Sequence, residues 1–103
     1  MTDSQFTLTI QTPVEQIKEC VSHVMIHILD GWMGFYPHHI RTIAQLQTDR
    51  LIYTKDQIEY TIWIEGGFFQ FNQNRAMIIT PKATTINPAT LTDEKPISTT
   101  KNL

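Results

Sequence analysis

Residues 12–29 read TPVEQIKECVSHVMIHIL, and whether they form a helix or a pair of strands separates an α+β chain from an all-β one. Val14, Ile17, Val21, Val24 and Ile28 recur at steps of 3, 4, 3 and 4, the stripe of an amphipathic helix. Thr12 stands where an N-cap would, Pro13 where the first helical residue would, and Glu15 as the returning partner of a capping box. The competing reading divides the stretch. Residues 13–19 become a loop or short strand and residues 21–29 a strand rich in β-branched side chains. In that strand Ser22, Val24, Ile26 and Ile28 share one face, with His23, Met25, His27 and Leu29 on the other. Local periodicity alone favours the helix.

The flanking sequence is written in strand patterns. Phe6, Leu8 and Ile10 alternate with Thr7, Thr9 and Gln11, and Ile58, Tyr60, Ile62 and Ile64 alternate with Glu59, Thr61, Trp63 and Glu65. Gly66-Gly67 breaks the second run and opens another over residues 68–71. Asn72-Gln73-Asn74 is a turn signal before residues 77–80, which Pro81 ends, and Lys55-Asp56-Gln57 separates residues 51–53 from the strand beginning at Ile58. Meandering hairpins follow for residues 51–80. From residue 84 the chain changes to TTINPATLTDEKPISTTKNL, whose apolar residues keep neither a period of 2 nor one of 3.6. Such a segment buries too little surface to offset its ordering entropy. The expected division is a domain at 1–83 and a polar Thr/Pro tail, disordered or extended, at 84–103.

Composition narrows the function classes. A length of 103 residues with 41% hydrophobic side chains fits one domain with a modest core. Net charge is −2, only 17% of residues are charged, and no Lys/Arg cluster provides a nucleic-acid footprint. So few charges suit a surface covered by partners. The lone Cys20 excludes a disulfide framework and a cysteine-based zinc site. The start MTDSQ lacks the basic and apolar regions of a signal peptide, and residues 24–29, interrupted by His27, fall far short of a membrane span. A soluble, intracellular chain is expected.

Chemistry-bearing constellations are weak. On a helix His23 and His27 would stand at i and i+4, a zinc-chelating spacing; on a strand they are about 13 Å apart, too far to share an ion. No Asp or Glu sits at motif spacing to complete a ligand set. His38-His39 has no positioned nucleophile beside it, since there is no Gly-x-Ser-x-Gly elbow and Cys20 stands alone. Asp49, Asp56, Glu59 and Glu65, with Arg50 and Lys55 as neighbours, look like solvated strand ends. The glycines Gly31, Gly34, Gly66 and Gly67 match no phosphate-binding fingerprint and read as turns or close backbone approaches. Among the aromatics, Phe68, Phe69 and Phe71 cannot all face one side of a sheet. Trp32-Met33, in a presumed loop, forms the best contact surface.

Asp30-Gly31-Trp32-Met33-Gly34-Phe35-Tyr36-Pro37-His38-His39 resembles the D-G-x-x-G-x-x-P-G-H signature of the epsilon subunit of F-type rotary ATP synthases. It follows Phe6-Thr-Leu-Thr-Ile-Gln-Thr-Pro13, which looks like that family's first strand and turn. Ile64-Glu65-Gly66-Gly67-Phe68-Phe69-Gln70-Phe71 is similar to its paired-glycine junction, and Asn74-Arg75-Ala76-Met77-Ile78-Ile79 resembles its last strand. Each motif is weak, but they run in order and nearly without gaps over residues 5–83.

The resemblance implies an all-β chain, a flattened β-sandwich or barrel of about ten short strands, which overrules the local helix reading. It further implies a non-catalytic rotor subunit of the central stalk that grips the gamma subunit and rests on the c ring of a proton- or sodium-translocating ATPase. Such a chain would be peripheral, on the cytoplasmic face of the plasma membrane, and membrane-associated only through the complex. Gln11, Thr12, Asp30, Gly31, Trp32 and Met33 would face the c ring and Pro37, His39 and Thr42 the gamma subunit, with Gly34, Gly66 and Gly67 as structural turns. No cofactor, no metal and no nucleic acid are implied. Two departures matter. His38 replaces the family's glycine, so any strained backbone angle there falls on a residue with a Cβ. The alanine-rich helical hairpin that usually follows is replaced by the Thr/Pro tail, so no ATP binding is expected and the chain points to an alternative or specialised ATPase. Two rival readings are a small α+β metal-binding or enzymatic domain using His23 and His27, and an epsilon-fold adaptor with another partner.

Overall fold

The computed structural model describes residues 4–86, and within them the chain is all β. Eight strands follow in order: β1 Phe6–Gln11, β2 Gln16–Val21, β3 His23–Ile28, β4 Gly31–Phe35, β5 Thr42–Lys55, β6 Ile58–Asn72, β7 Arg75–Ile79 and β8 Ala83–Ile86. They pair in the order β2-β1-β7-β6-β5-β3-β4, with β8 also on β6. Every pairing is antiparallel except that of β1 with β7.

The helix expected from local periodicity over residues 12–29 does not form; β2 and β3 occupy it. Its capping signal is nonetheless physical. The Thr12 hydroxyl oxygen accepts the backbone N–H groups of Val14 at 3.3 Å and Glu15 at 3.1 Å, as an N-cap would. The turn then closes on itself, because the Thr12 N–H donates to the Glu15 carbonyl at 2.9 Å, and Gln16 starts a strand on β1. Cross-strand pairing supplies hydrogen bonds and burial that one amphipathic turn could not. The α+β metal-site reading falls with the helix. His23 and His27 lie on one strand, and among the described residues no group of three or more His, Cys, Asp or Glu could hold a metal ion.

The eight strands do the work of the ten expected short ones because β5 and β6 are long enough to serve two layers. Residues 58–65 of β6 pair with residues 48–55 of β5, and its 61–64 portion also pairs with β8; residues 67–71 pair with 42–46 of β5, and 68–72 with β7. Between the halves the ladder skips Gln47 and Gly66. The buried side switches there: Ile62 and Ile64 point inward before the break, Phe69 and Phe71 after it. β5 switches likewise, with Leu46 inward on one side and Leu51 and Tyr53 on the other. One long hairpin thus passes from one sheet of the sandwich to the other.

Among the described residues, sixteen buried hydrophobic side chains fill the space between the layers. Aromatic contacts dominate its middle: Phe35 lies 4.5 Å from Phe69 between ring centroids, and Phe6 meets Phe71 edge-on at 5.2 Å. Two of the hairpins close through two-residue turns, Asp56-Gln57 and Gln73-Asn74, whose residues all have positive φ, the pattern of type I′ turns. At the C-terminal side, β8 takes in Thr84–Ile86, three residues that composition assigned to the tail; residues 87–103 of that tail lie outside the described residues.

Gly67 has a φ of +111°, and a Cβ there would stand 2.1 Å from the Ile79 carbonyl oxygen and 2.9 Å from Thr80 Cα. Gly66 has a φ of +73° but nothing nearer than 3.8 Å. Gly67→Ala is therefore expected to cost about 3 kcal/mol or more, from steric overlap plus backbone strain, whereas Gly66→Ala costs about 1–2 kcal/mol from strain alone. Urea unfolding midpoints of the two variants check this; equal losses would mean that the Gly67–Ile79 approach is not the limiting contact.

Candidate functional site

The expected contact residues collect at the two ends of the sandwich. At one end lie the β1–β2 turn, the β3–β4 turn and the β5–β6 break. The Thr80 N–H donates to the Gln11 carbonyl at 3.0 Å, Ile79 abuts Gly67, and beyond the break Asp49 binds His27, two residues before the turn at 29–30. Gln11 is half-buried there and Asp30 is exposed. Thr12 is buried and its hydroxyl is committed to its own turn, so it shapes this end without presenting a side chain.

Residues 30–33 are not a loop. Only residues 29–30 make the turn, and Gly31, with a φ of +124°, opens β4. Strand alternation then parts the Trp32-Met33 pair. Trp32 points out and is 41% exposed, while Met33 packs against the core. Gly34 is likewise inside β4 rather than at a turn. A Cβ on it would sit 3.0 Å from both His23 Nε2 and Met25 Sδ, so its lack of a side chain lets those two lie over the strand.

Around Trp32 the outer face of the sheet is aromatic and polar. His27 pairs across the strand with Trp32, their rings parallel within 10° and 5.0 Å apart. The Arg50 guanidinium lies 5.7 Å from the centre of the Trp32 ring, and Arg50 in turn pairs with Trp63. Asp49 Oδ2 accepts a hydrogen bond from His27 Nδ1 at 2.7 Å and Asp49 Oδ1 one from the Arg50 backbone N–H at 2.6 Å. The Arg50 N–H bond, reinforced by His27 and opposed by desolvation, holds the Asp49 carboxyl below its ordinary value.

Two surface features at this end were not singled out in the sequence. Val14, read as part of a helical stripe, and Leu29, read as part of a strand face, stand at the tips of the two turns and are 90% and 83% exposed. Gln11, Pro13, Gly67, Phe68, Ile79 and Pro81 line a groove of about 660 Å³ next to the Val14 turn. The uninterrupted run Ala76-Met77-Ile78-Ile79 carried the signal for the groove wall, because only alternate residues can enter the core.

The opposite end carries Pro37, His39 and Thr42 in the connection from β4 to β5. His39 is wedged against Phe35 at 4.4 Å and Phe71 at 5.8 Å. The Thr42 hydroxyl donates to the Ile40 carbonyl at 2.9 Å. His38 does bear the left-handed angle, with a φ of +66°, and its backbone N–H donates to Asn74 Oδ1 at 2.8 Å. Asn74 Nδ2 donates to the Gln5 carbonyl, tying this connection to the β6–β7 turn and the start of β1. His23, stacked on Tyr36 at 4.3 Å, borders the same region.

A family model described as ATP synthase, Delta/Epsilon chain, beta-sandwich domain matches residues 5–86. The ATP synthase epsilon chain of Lactiplantibacillus plantarum is 35% identical over 81 residues, which are 75% of this chain and 57% of that one. That of Pediococcus pentosaceus is 31% identical over 83 residues, 79% of this chain and 60% of the relative. The chain therefore spans about three fifths of the length of these relatives. A chain in the cryo-EM structure of Euglena gracilis mitochondrial ATP synthase, OSCP/F1/c-ring, superposes with a TM-score of 0.76 at 27% identity, covering 87% of this chain and 61% of that one. A chain of the Tetrahymena thermophila central stalk/c-ring structure shares the fold at a TM-score of 0.66 and 11% identity, covering 81% and 68%.

Burial lowers the His23 pKa below its ordinary 6.5, against a smaller opposing effect of Glu59. The unfolded chain then binds the proton more readily, so the His23 contribution is full above about pH 6.5 and is lost as pH falls through the folded value. Asp49 acts in the same direction in a lower window, below its ordinary 3.8. Thermal melts at pH 7.5 and 5.5 are expected to show a smaller acid-induced drop in Tm for His23→Gln than for the parent chain.

Proposed function

This chain belongs to the family of ATP synthase delta/epsilon β-sandwich domains, and from that premise we propose that it is a non-catalytic central-stalk subunit of an F-type, ion-translocating ATP synthase or ATPase. The observation that carries the reading is the match across residues 5–86, which takes in all eight strands and both ends of the sandwich. In this reading the chain turns with the rotor as part of the peripheral complex on the cytoplasmic side of the membrane. It contacts the gamma subunit at one end and the c ring at the other. Among the described residues no helix is long and apolar enough to cross a membrane.

The c-ring end is the one bearing Gln11, Asp30, Gly31 and Trp32, with Val14 and Leu29 added from the geometry. Two nearly fully exposed apolar turn tips and a 41%-exposed tryptophan suit an interface better than a solvated surface. Thr12 and Met33 support that end from inside. The gamma end is that of Pro37, His39 and Thr42, where the ring of His39 is braced on Phe35 and Phe71 and so presents a fixed edge.

Co-expression of the full chain with its gamma and c subunits is expected to give a complex that copurifies. The double substitution Val14→Asp and Leu29→Asp is expected to leave the melting temperature of the free chain unchanged and to weaken retention of the c ring about tenfold or more. Elution without gamma and c would overturn the reading, and capture of a different protein instead would favour an adaptor. Titration of the isolated chain with ATP is expected to give no saturable binding.

A further inference from the structure

The strand that carries Trp32 does little to hold it. Gly31 precedes it, and Gly34, two residues on and so on the same face, has no side chain to brace the indole. β4 is also the last strand in the pairing order, with β3 as its neighbour. What orients the ring comes from β3 and β5. The His27 imidazole lies parallel to the indole at 5.0 Å, and the Arg50 guanidinium lies over it at 5.7 Å.

Both of those groups answer to one carboxylate. An ionised Asp49 can only accept, so the 2.7 Å contact places a proton on His27 Nδ1 and fixes the rotation of the imidazole. The other Asp49 oxygen takes the Arg50 backbone N–H at 2.6 Å and stands 3.6 Å from Arg50 Nε, which draws the guanidinium side chain toward the same region. The Asp49 side chain is 25% exposed and both of its oxygens are engaged, so its position is set by these hydrogen bonds.

We propose that Asp49 is a positioning residue for docking, orienting Trp32 through His27 and Arg50 so that the indole is already ordered when it meets its partner. This rests on the reading of the Trp32 end as the c-ring contact. Preordering removes the loss of side-chain freedom that an unsupported tryptophan would incur on binding, worth about a three- to tenfold gain in affinity.

Trp32 and Trp63 are the two tryptophans of the chain, so Trp63→Phe leaves Trp32 as a single fluorophore in the full-length protein. In that background Asp49→Ala is expected to raise the amplitude of the fast component of the Trp32 anisotropy decay about twofold. Capture of co-expressed gamma and c subunits is expected to weaken about three- to tenfold. Asp49→Asn, which keeps an oxygen acceptor for His27 Nδ1–H, is expected to restore most of both. A folded Asp49→Ala chain with an unchanged decay would overturn the proposal. If that variant does not fold, His27→Ala in the same background asks the same question, and an unchanged decay again overturns it. Should Trp32→Ala be captured as well as the parent chain, the docking role of this residue is refuted, while the anisotropy still decides whether Asp49 orders the ring.

Discussion

The sandwich depends on how closely the backbone of β6 passes that of β7. At Gly67 the two chains come so near that the space a Cβ would need is already held by the Ile79 carbonyl. This approach lets one hairpin leave the first sheet, reverse which of its side chains point inward, and continue in the second. Were β6 straight, Phe69 and Phe71 would face solvent whenever Ile62 and Ile64 faced the core, because strand parity is strict. Two glycines in succession are the chemical answer, since both take positive φ and one has no room for a side chain.

The consequence of this geometry is a molecule with two differently built ends. At the end nearest the break, tight turns push Val14 and Leu29 outward and a row of strand partners supports Trp32. At the far end the connection from β4 to β5 is pinned by side chains, with His39 against two core phenylalanines and Asn74 bridging His38 to Gln5. The Lys55 ammonium, 2.7 Å from Glu19, adds a tie between β5 and β2.

Much of the fold was legible because strands write their periodicity plainly. The alternations place Phe6, Leu8, Ile10, Ile62 and Ile64 in the core as read, although Thr9 and Thr61 of the polar faces are buried too and Ile58 is exposed; the turn signals at residues 55–57 and 72–74 fall on hairpins. The stretch at 12–29 was not legible locally, because Thr12 and Pro13 form a real capping turn and the apolar spacing fits either geometry. Only pairing with β1, β4 and β5, which no local window contains, decides it. The site was legible as a set of segments but not as a set of side chains. Trp32 and Met33 part company through strand alternation, and Asp49 meets His27 through a register that links positions 22 residues apart. Val14 and Leu29 were assigned to a helical stripe and a strand face, and are instead the tips of turns.

The parallel pairing of β1 with β7 bears on how the chain is made. Thr7 lies beside Arg75 and Gln11 beside Ile79, so the first strand to leave the ribosome must wait for nearly the whole domain before its inner neighbour exists. At about 5–20 residues per second that wait is several seconds, during which β1 has only β2 as a partner. Phe6, Leu8 and Ile10, fully buried at the end, are uncovered for that interval. Contacts this distant in sequence also slow the search for the native state. A chain built this way is most vulnerable to sticking while it is still being synthesised, and its early hairpin is where a chaperone would find purchase.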